Sequence, residues 1–342
     1  MSTNSGIQIA DFADIFTGRL ISEIPQALSA ICDALKDKTS LIELNLSDNA
    51  FGGRSVDPMV PFLTTNRSFQ IFKLNNNGLG PAGGSVIANA LLLSANLSKR
   101  EGKPSNLRTV ICGRNRLEDG SASAWAEAFA AHGTLREVRM PQNGIRMEGI
   151  TALAKGLAKC PSLTHIDLQD NTFTAEGDES GVKAWAEALP SWPELHTLNF
   201  SDCVLSGDGE VPLIIQALAS GSNPKLHTLQ LQNNNLETQT FALLAKNIST
   251  HLLSVRLLEL QWNEQEGEDA DLETIGQSLK LRGGKLFVSD EDEEDEDEDE
   301  DEDVIKGAPV SVEPTPVDEK GVTDNAVDAL ADLLGKFSLG SK

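Results

Sequence analysis

Two extra amides, Asn75 and Asn76, stand immediately before Asn77 in the stretch Phe69 to Pro81, FQIFKLNNNGLGP. A primary amide donates and accepts hydrogen bonds at once, so such a run can brace a backbone and hold a second polar group. Three comparable polar stretches lie near it in the chain: Asp14-Ile-Phe-Thr-Gly-Arg19, Ser47-Asp-Asn-Ala-Phe-Gly52 and Gly113-Arg-Asn-Arg-Leu-Glu118. Arg19, Asp48, Asn76, Arg114 and Arg116 can form one charged and polar surface once the intervening elements bring these stretches to a common edge. Familiar catalytic constellations do not occur. The five histidines, His132, His165, His196, His227 and His251, form no H-E-x-x-H pair, and there is no G-x-S-x-G or phosphate-loop pattern. His196 and His227 both sit in the string LHTL, which reads as a copied structural unit and not as a unique base. No cofactor and no metal site is expected.

The elements that position these stretches recur. Phe69, Phe72, Leu74 and Asn77 are spaced by three, two and three residues. That spacing is L-x-x-L-x-L-x-x-N, the leucine-rich-repeat pattern. Full copies begin at Leu41, Phe69, Leu107, Leu135, Leu163, Leu195, Leu226 and Val255. Their last positions, here called ladder positions, are Asn49, Asn77, Asn115, Asn143, Asn171, Cys203, Asn234 and Asn263. A period near 28 residues leaves room for a helix in each unit. Strands are expected to centre near 44–46, 72–74, 110–112, 138–140, 166–168, 198–200, 229–231 and 258–260, with a partial first strand around Ala10. Apolar periodicity places helices at Glu23 to Leu35, Ala122 to Ala131, Gly149 to Lys159, Val182 to Leu189, Val211 to Ala219 and Phe241 to Ile248. One such unit cannot bury its own apolar face, so units must stack. The expected fold is therefore an α/β leucine-rich-repeat solenoid, a horseshoe of about nine repeats with parallel strands on the concave side and helices on the convex side.

In such an array every strand-to-helix stretch falls on one edge. The ladder asparagine is expected to bond backbone groups that the chain loses as it leaves the strand. Cys203 fits, because the pattern accepts cysteine there. The position before it, which Asn76 occupies in its own copy, carries no structural demand in the pattern. The second full copy is ten residues longer than its neighbours, and the excess around Ser98 to Asn106 reads as a loop insertion.

Composition narrows the partner. The chain has 342 residues, 39% of them hydrophobic, and a formal net charge of −24. The fourteen residues Asp290 to Asp303 are all acidic, and the 289 residues before them hold 32 acids and 24 bases, a net of −8. A mildly acidic body argues against nucleic acid, which needs clustered Lys and Arg. It suits a partner with a basic face. Four dispersed cysteines with no C-x-x-C pair point to a reducing compartment. No apolar stretch approaches the roughly 18 residues a membrane-spanning helix needs, and the N-terminus has no secretory h-region. The expected division is a repeat domain over 1–286, an acidic run and linker over 287–323, and a tail over 324–342. In that tail Val327, Leu330, Leu334 and Phe337 recur at helical spacing.

The strings DIFTGR, LSDNAFG, NNGLGP, ICGRNRLE, QNGI and LQDNTFT occur in this order, ahead of the acidic run. Together they resemble the Ran GTPase-activating protein family, over Ile9 to about Trp262. The resemblance implies a GTPase activator and not an enzyme, since the hydrolytic centre lies on the partner. It implies a Ran-type small GTPase in its GTP form as partner, with a Ran-binding protein as a further one, no nucleic acid, no membrane insertion, a monomer, and a cytoplasmic, perinuclear location. It also implies a mechanism without an arginine finger, in which Asn76 helps to orient the GTPase's own glutamine. Arg19 matches an activity-sensitive interface and loop-holding residue, and Asp48 and Asn143 match interface positions; Asn75, Arg114 and Arg116 are partner-binding candidates by their place in the polar loops alone, where simple solvation of the edge is the other reading for the two arginines. The alternative is a non-catalytic binding module similar to ribonuclease inhibitor, sequestering a basic protein on its concave face.

Overall fold

The computed structural model describes residues 6–264 and 269–289. The acidic run, the linker and the amphipathic tail segment expected from the sequence lie outside the described residues.

Ten three-residue strands form one parallel sheet in chain order. They are β1 (Ile9–Asp11), β2 (Glu43–Asn45), β3 (Ile71–Lys73), β4 (Thr109–Ile111), β5 (Glu137–Arg139), β6 (His165–Asp167), β7 (Thr197–Asn199), β8 (Thr228–Gln230), β9 (Leu257–Glu259) and β10 (Lys285–Phe287). The fold is thus the expected α/β leucine-rich-repeat solenoid. In β1 to β9 the central residue of each strand is buried, from Ala10 and Leu44 through to Leu258. Side chains of a strand alternate between its two faces, so the flanking positions point to the opposite, more open face. The observed centres fall on the first residue of each expected range. The pattern does not announce β10, which carries the array one residue past the expected boundary at 286.

Nine α-helices among the described residues return the chain from one strand to the next. They are α1 (Ile24–Leu35), α2 (Val60–Thr65), α3 (Gly80–Arg100), α4 (Glu118–His132), α5 (Met147–Leu157), α6 (Ser180–Ala188), α7 (Leu213–Ala219), α8 (Thr238–Asn247) and α9 (Ala270–Lys280). Leu91 of α3, Trp125 and Phe129 of α4, and Leu153 of α5 close over the strand residues, so one continuous core runs through the repeats. A buried aromatic group anchors its middle. Trp185 contacts Phe173, Trp192 and Phe200, and both indole N–H groups donate to backbone carbonyls, Trp185 to Ile150 and Trp192 to Leu157, each at 3.0 Å.

The long second repeat corrects the expected loop insertion. α3 runs for 21 residues to Arg100, so much of the excess is added helix. Its entry is tight. A Cβ on Gly83 would lie 2.6 Å from the Gly53 Cα, and a Cβ on Gly53 would lie 2.1 Å from the Leu79 carbonyl oxygen. Only glycine at both positions lets α3 close against the preceding repeat.

Candidate functional site

The strand-to-helix edge is built by backbone first. At the position before each ladder residue the chain turns into the left-handed region: Asp48 at φ 62°, Asn76 at 53°, Arg114 at 55°, Gln142 at 54°, Asp170 at 55°, Asp202 at 57°, Asn233 at 50° and Trp262 at 58°. Asp14 takes the same conformation, φ 53°, after β1. This overturns the expectation that Asn76 answers to no structural demand. The repeat requires positive φ there, and Asn and Asp accept it more readily than other residues with a Cβ.

From Asp14 to Asn233 the N–H of each such residue then bonds a carbonyl of the next repeat. Asp48 donates to Asn75 O at 2.8 Å, Asn76 to Gly113 O at 2.9 Å, Arg114 to Pro141 O at 2.9 Å and Gln142 to Gln169 O at 2.8 Å. Sheet pairing therefore continues past the strands, and Asp48, Asn76, Arg114 and Gln142 occupy consecutive rungs of one column. All four are exposed. The second loop position, Arg116, is exposed at φ 54°.

The ladder residues lie beneath this column and behave as expected. Asn77 is fully buried. Its Nδ2 donates to Leu46 O at 2.9 Å, Leu74 O at 3.1 Å and Asn75 O at 3.1 Å, while its Oδ1 accepts the Asn49 N–H at 3.0 Å. Asn115 and Asn143 repeat the arrangement one and two rungs on. At Cys203 the thiol donates to Leu168 O and Ser201 O, both at 3.3 Å.

This geometry sorts the expected site residues. Asn76 presents its amide at the surface, with Nδ2 donating to Asp48 Oδ1 at 3.1 Å. Asp48 is therefore placed to hold Asn76. Asn75 is half-buried, and its Oδ1 accepts the Gly113 N–H at 2.6 Å, which pins the third loop to the fourth. Asn143 is corrected: it is 1% exposed and its amide is committed to the backbone, so it cannot reach a partner. Gln142, one residue earlier, holds the exposed position. Arg19 is exposed, and its guanidinium has no hydrogen bond or ion pair among the described residues. Its backbone N–H donates to Phe16 O at 3.0 Å within the loop. The Ile15 and Phe16 N–H groups donate to Asn49 Oδ1 at 2.9 and 3.0 Å, and Phe16 is buried beneath the loop. Arg114 and Arg116 likewise have no ion pair among the described residues; Arg114 occupies the rung after Asn76, and Arg19 and Arg116 lie in strand-to-helix loops of the same edge.

No group of His, Cys, Asp or Glu suited to a metal ion occurs among the described residues, and no described helix is long and apolar enough to cross a membrane. The strand face offers a contrasting surface. There Arg139 pairs with Glu137 at 2.6 Å, and burial lowers the neighbouring His165 pKa and raises that of Asp167.

Comparison with known proteins bears on the edge and the fold together. The family model described as Leucine Rich repeat matches residues 37–59, 65–88 and 159–177. Ran GTPase-activating protein 1 of Saccharomyces cerevisiae is 35% identical over 273 residues, covering 78% of this chain and 65% of that protein. Ran GTPase-activating protein 1 of Xenopus laevis is 49% identical over 137 residues, covering 39% of this chain and 24% of that protein. Ribonuclease inhibitor of Sus scrofa is 26% identical over 264 residues, covering 76% of this chain and 54% of that protein. The chain thus spans less than two thirds of the length of each of these relatives.

Proposed function

The chain belongs to the Ran GTPase-activating protein family of leucine-rich-repeat proteins, and from that premise we propose that it stimulates GTP hydrolysis by a Ran-type small GTPase. The observation that carries the reading is the similarity to the yeast protein of that name over most of this chain. In this proposal the hydrolytic centre lies on the GTPase in its GTP form, and the chain supplies groups in trans. Asn76 contacts the GTPase's catalytic glutamine and holds it where it orients the attacking water. An amide suits that task because it fixes the direction of another amide. An arginine finger is not used. Arg19, Arg114 and Arg116 serve as interface cations on the same edge as Asn76, and Asn75 stiffens the loop beneath.

A protein that acts as a monomer in the cytoplasm, near the nuclear envelope in nucleocytoplasmic transport, fits this role, with a Ran-binding protein as an additional partner. The acidic run over 290–303 fits a role in electrostatic steering toward basic partners. Single-turnover hydrolysis of GTP on a purified Ran-type GTPase tests the proposal. Saturating chain is expected to raise the rate by about 10³-fold or more, the scale of activation in trans. An unchanged rate overturns it. The similarity to ribonuclease inhibitor favours one second reading, sequestration of a basic protein on the strand face. In that case binding would survive substitution of Asn76 and fail on substitution of Glu137 and Asp167.

A further inference from the structure

The pair Asp48–Asn76 fixes more than a position. A carboxylate has no proton to give at neutral pH, so it can only accept. The Asn76 atom 3.1 Å from Asp48 Oδ1 must therefore be the nitrogen. With Nδ2 turned toward the preceding rung, Oδ1 is the atom left to face outward. The backbone does not let the pair drift. Asp48 and Asn76 both sit at positive φ, their N–H groups are bonded to the next repeat at 2.8 and 2.9 Å, and Asn75 is tied to Gly113 at 2.6 Å.

The same array contains an internal copy of the arrangement. Asn233 Nδ2 donates to Asp202 Oδ1 at 2.7 Å, again between adjacent rungs of the same column. An acid followed one rung later by an asparagine is thus enough to set the amide. What distinguishes the Asp48–Asn76 copy is its setting. Its neighbouring rungs are Asp14 and Arg114, and among the described residues Asp48 accepts from no other side chain, whereas Asp202 also accepts from Gln169 Nε2 at 3.3 Å.

We infer that Asp48 is a positioning residue that sets the polarity of the Asn76 amide, so that Asn76 offers its oxygen, and not its nitrogen, to the partner. This rests on the proposed role of Asn76. The group received is then an N–H donor. If it is the side-chain amide of the GTPase's glutamine, donation through its nitrogen leaves its carbonyl oxygen to accept from the attacking water. Asp48 acts through Asn76 and needs no contact of its own with the GTPase.

Three variants test this in the full chain: Asp48→Ala, Asp48→Asn, and the exchange Asp48→Asn with Asn76→Asp. All three are read by single-turnover GTP hydrolysis and by affinity for the GTPase loaded with a non-hydrolysable GTP analogue. Asp48→Ala frees the amide to turn, so the saturated rate should fall about tenfold or more with affinity nearly unchanged. Asp48→Asn can still accept through its oxygen and should stay within about threefold of the wild type, the conservative rescue that a purely structural role does not single out. In the exchange, the amide moved to position 48 donates to the carboxylate moved to position 76, whose second oxygen faces outward. The exchange should therefore recover most of the rate lost in Asn76→Ala. The matched exchange of Asp202 with Asn233 should leave activity unchanged and controls for general effects of moving charge. A wild-type rate for Asp48→Ala, or an exchange as slow as Asn76→Ala, overturns the inference while leaving GTPase activation in place. A wild-type chain that fails to accelerate hydrolysis refutes the proposed function instead.

Discussion

Replacing Asn77 by alanine separates the scaffold from the surface it carries. The amide makes four hydrogen bonds to backbone groups of its own and the preceding repeat. They are not equal. Leu46 O keeps a second donor, Asn49 Nδ2, at 2.9 Å, and Leu74 O keeps Asn115 Nδ2 at 2.8 Å. Asn75 O keeps the Asp48 N–H at 2.8 Å. The Asn49 N–H, by contrast, loses its acceptor inside the core. One orphaned buried donor costs about 1–3 kcal/mol, and the lost additional bonds and the small void bring the total to roughly 2–4 kcal/mol. Urea unfolding followed by circular dichroism should show this as a lower midpoint at constant slope. The neighbour Asn76 provides the contrast. Asn76→Ala should cost only about 1 kcal/mol, chiefly left-handed strain at φ 53°, and Asn76→Gly should relieve that strain. If Asn77→Ala costs no more than Asn76→Ala, the ladder does not carry the fold as described.

Other outcomes follow from the same geometry. In hydrolysis assays Asn76→Ala and Asn76→Gly should both lower the saturated rate by about 10²-fold while GTPase affinity changes little, the mark of an interaction made mainly in the transition state; an undiminished rate in either removes Asn76 from the mechanism. His132 is buried against Ser105, and desolvation pushes its pKa down to about 4 from an ordinary 6.5. The native state thus resists a proton that the unfolded chain takes up. Its stability contribution is complete above about pH 6.5 and is lost as pH falls toward 4, up to about 3 kcal/mol, and His132→Gln should flatten that part of the stability profile. All four cysteines are buried, with Cys32 and Cys112 pushed up to about 12 and Cys160 to about 11 by desolvation. An aromatic disulfide reagent should therefore titrate no thiol until urea unfolds the repeats, and rapid reaction in native buffer would contradict the packing.

Most of the sheet is readable because each strand contributes one deeply buried residue at fixed spacing from a ladder amide. Phe72 and Asn77 are as legible as Leu229 and Asn234. β10 is not, because Leu286 is followed by no ladder residue, and among the described residues β9 is the one strand it pairs with. α3 hides for another reason. Its entry contains Gly83 and Gly84, which lower helix propensity and are needed for close packing against Gly53 and Ser121. The left-handed column escapes notice because its occupants are chemically mixed: Arg114, Gln142 and Trp262 share it with Asp and Asn. The Asp48–Asn76 contact does have a signal. The two residues sit at equal offsets in consecutive copies, 28 residues apart, which in a stacked array makes them neighbours.

That column also acts as a ruler. From Asp14 to Asn233 each rung has the same backbone turn and the same bond to the next carbonyl, so a side chain can be rewritten at any of these rungs without altering the frame. Neighbouring rungs are spaced at the inter-strand distance of about 4.8 Å, well beyond the tolerance of a hydrogen bond. An amide moved from position 76 to position 114 would therefore find an equivalent socket and yet miss a rigidly docked partner. Conformation in this array is repeated, while address is unique, and a partner docked on the edge would locate its contacts by counting rungs.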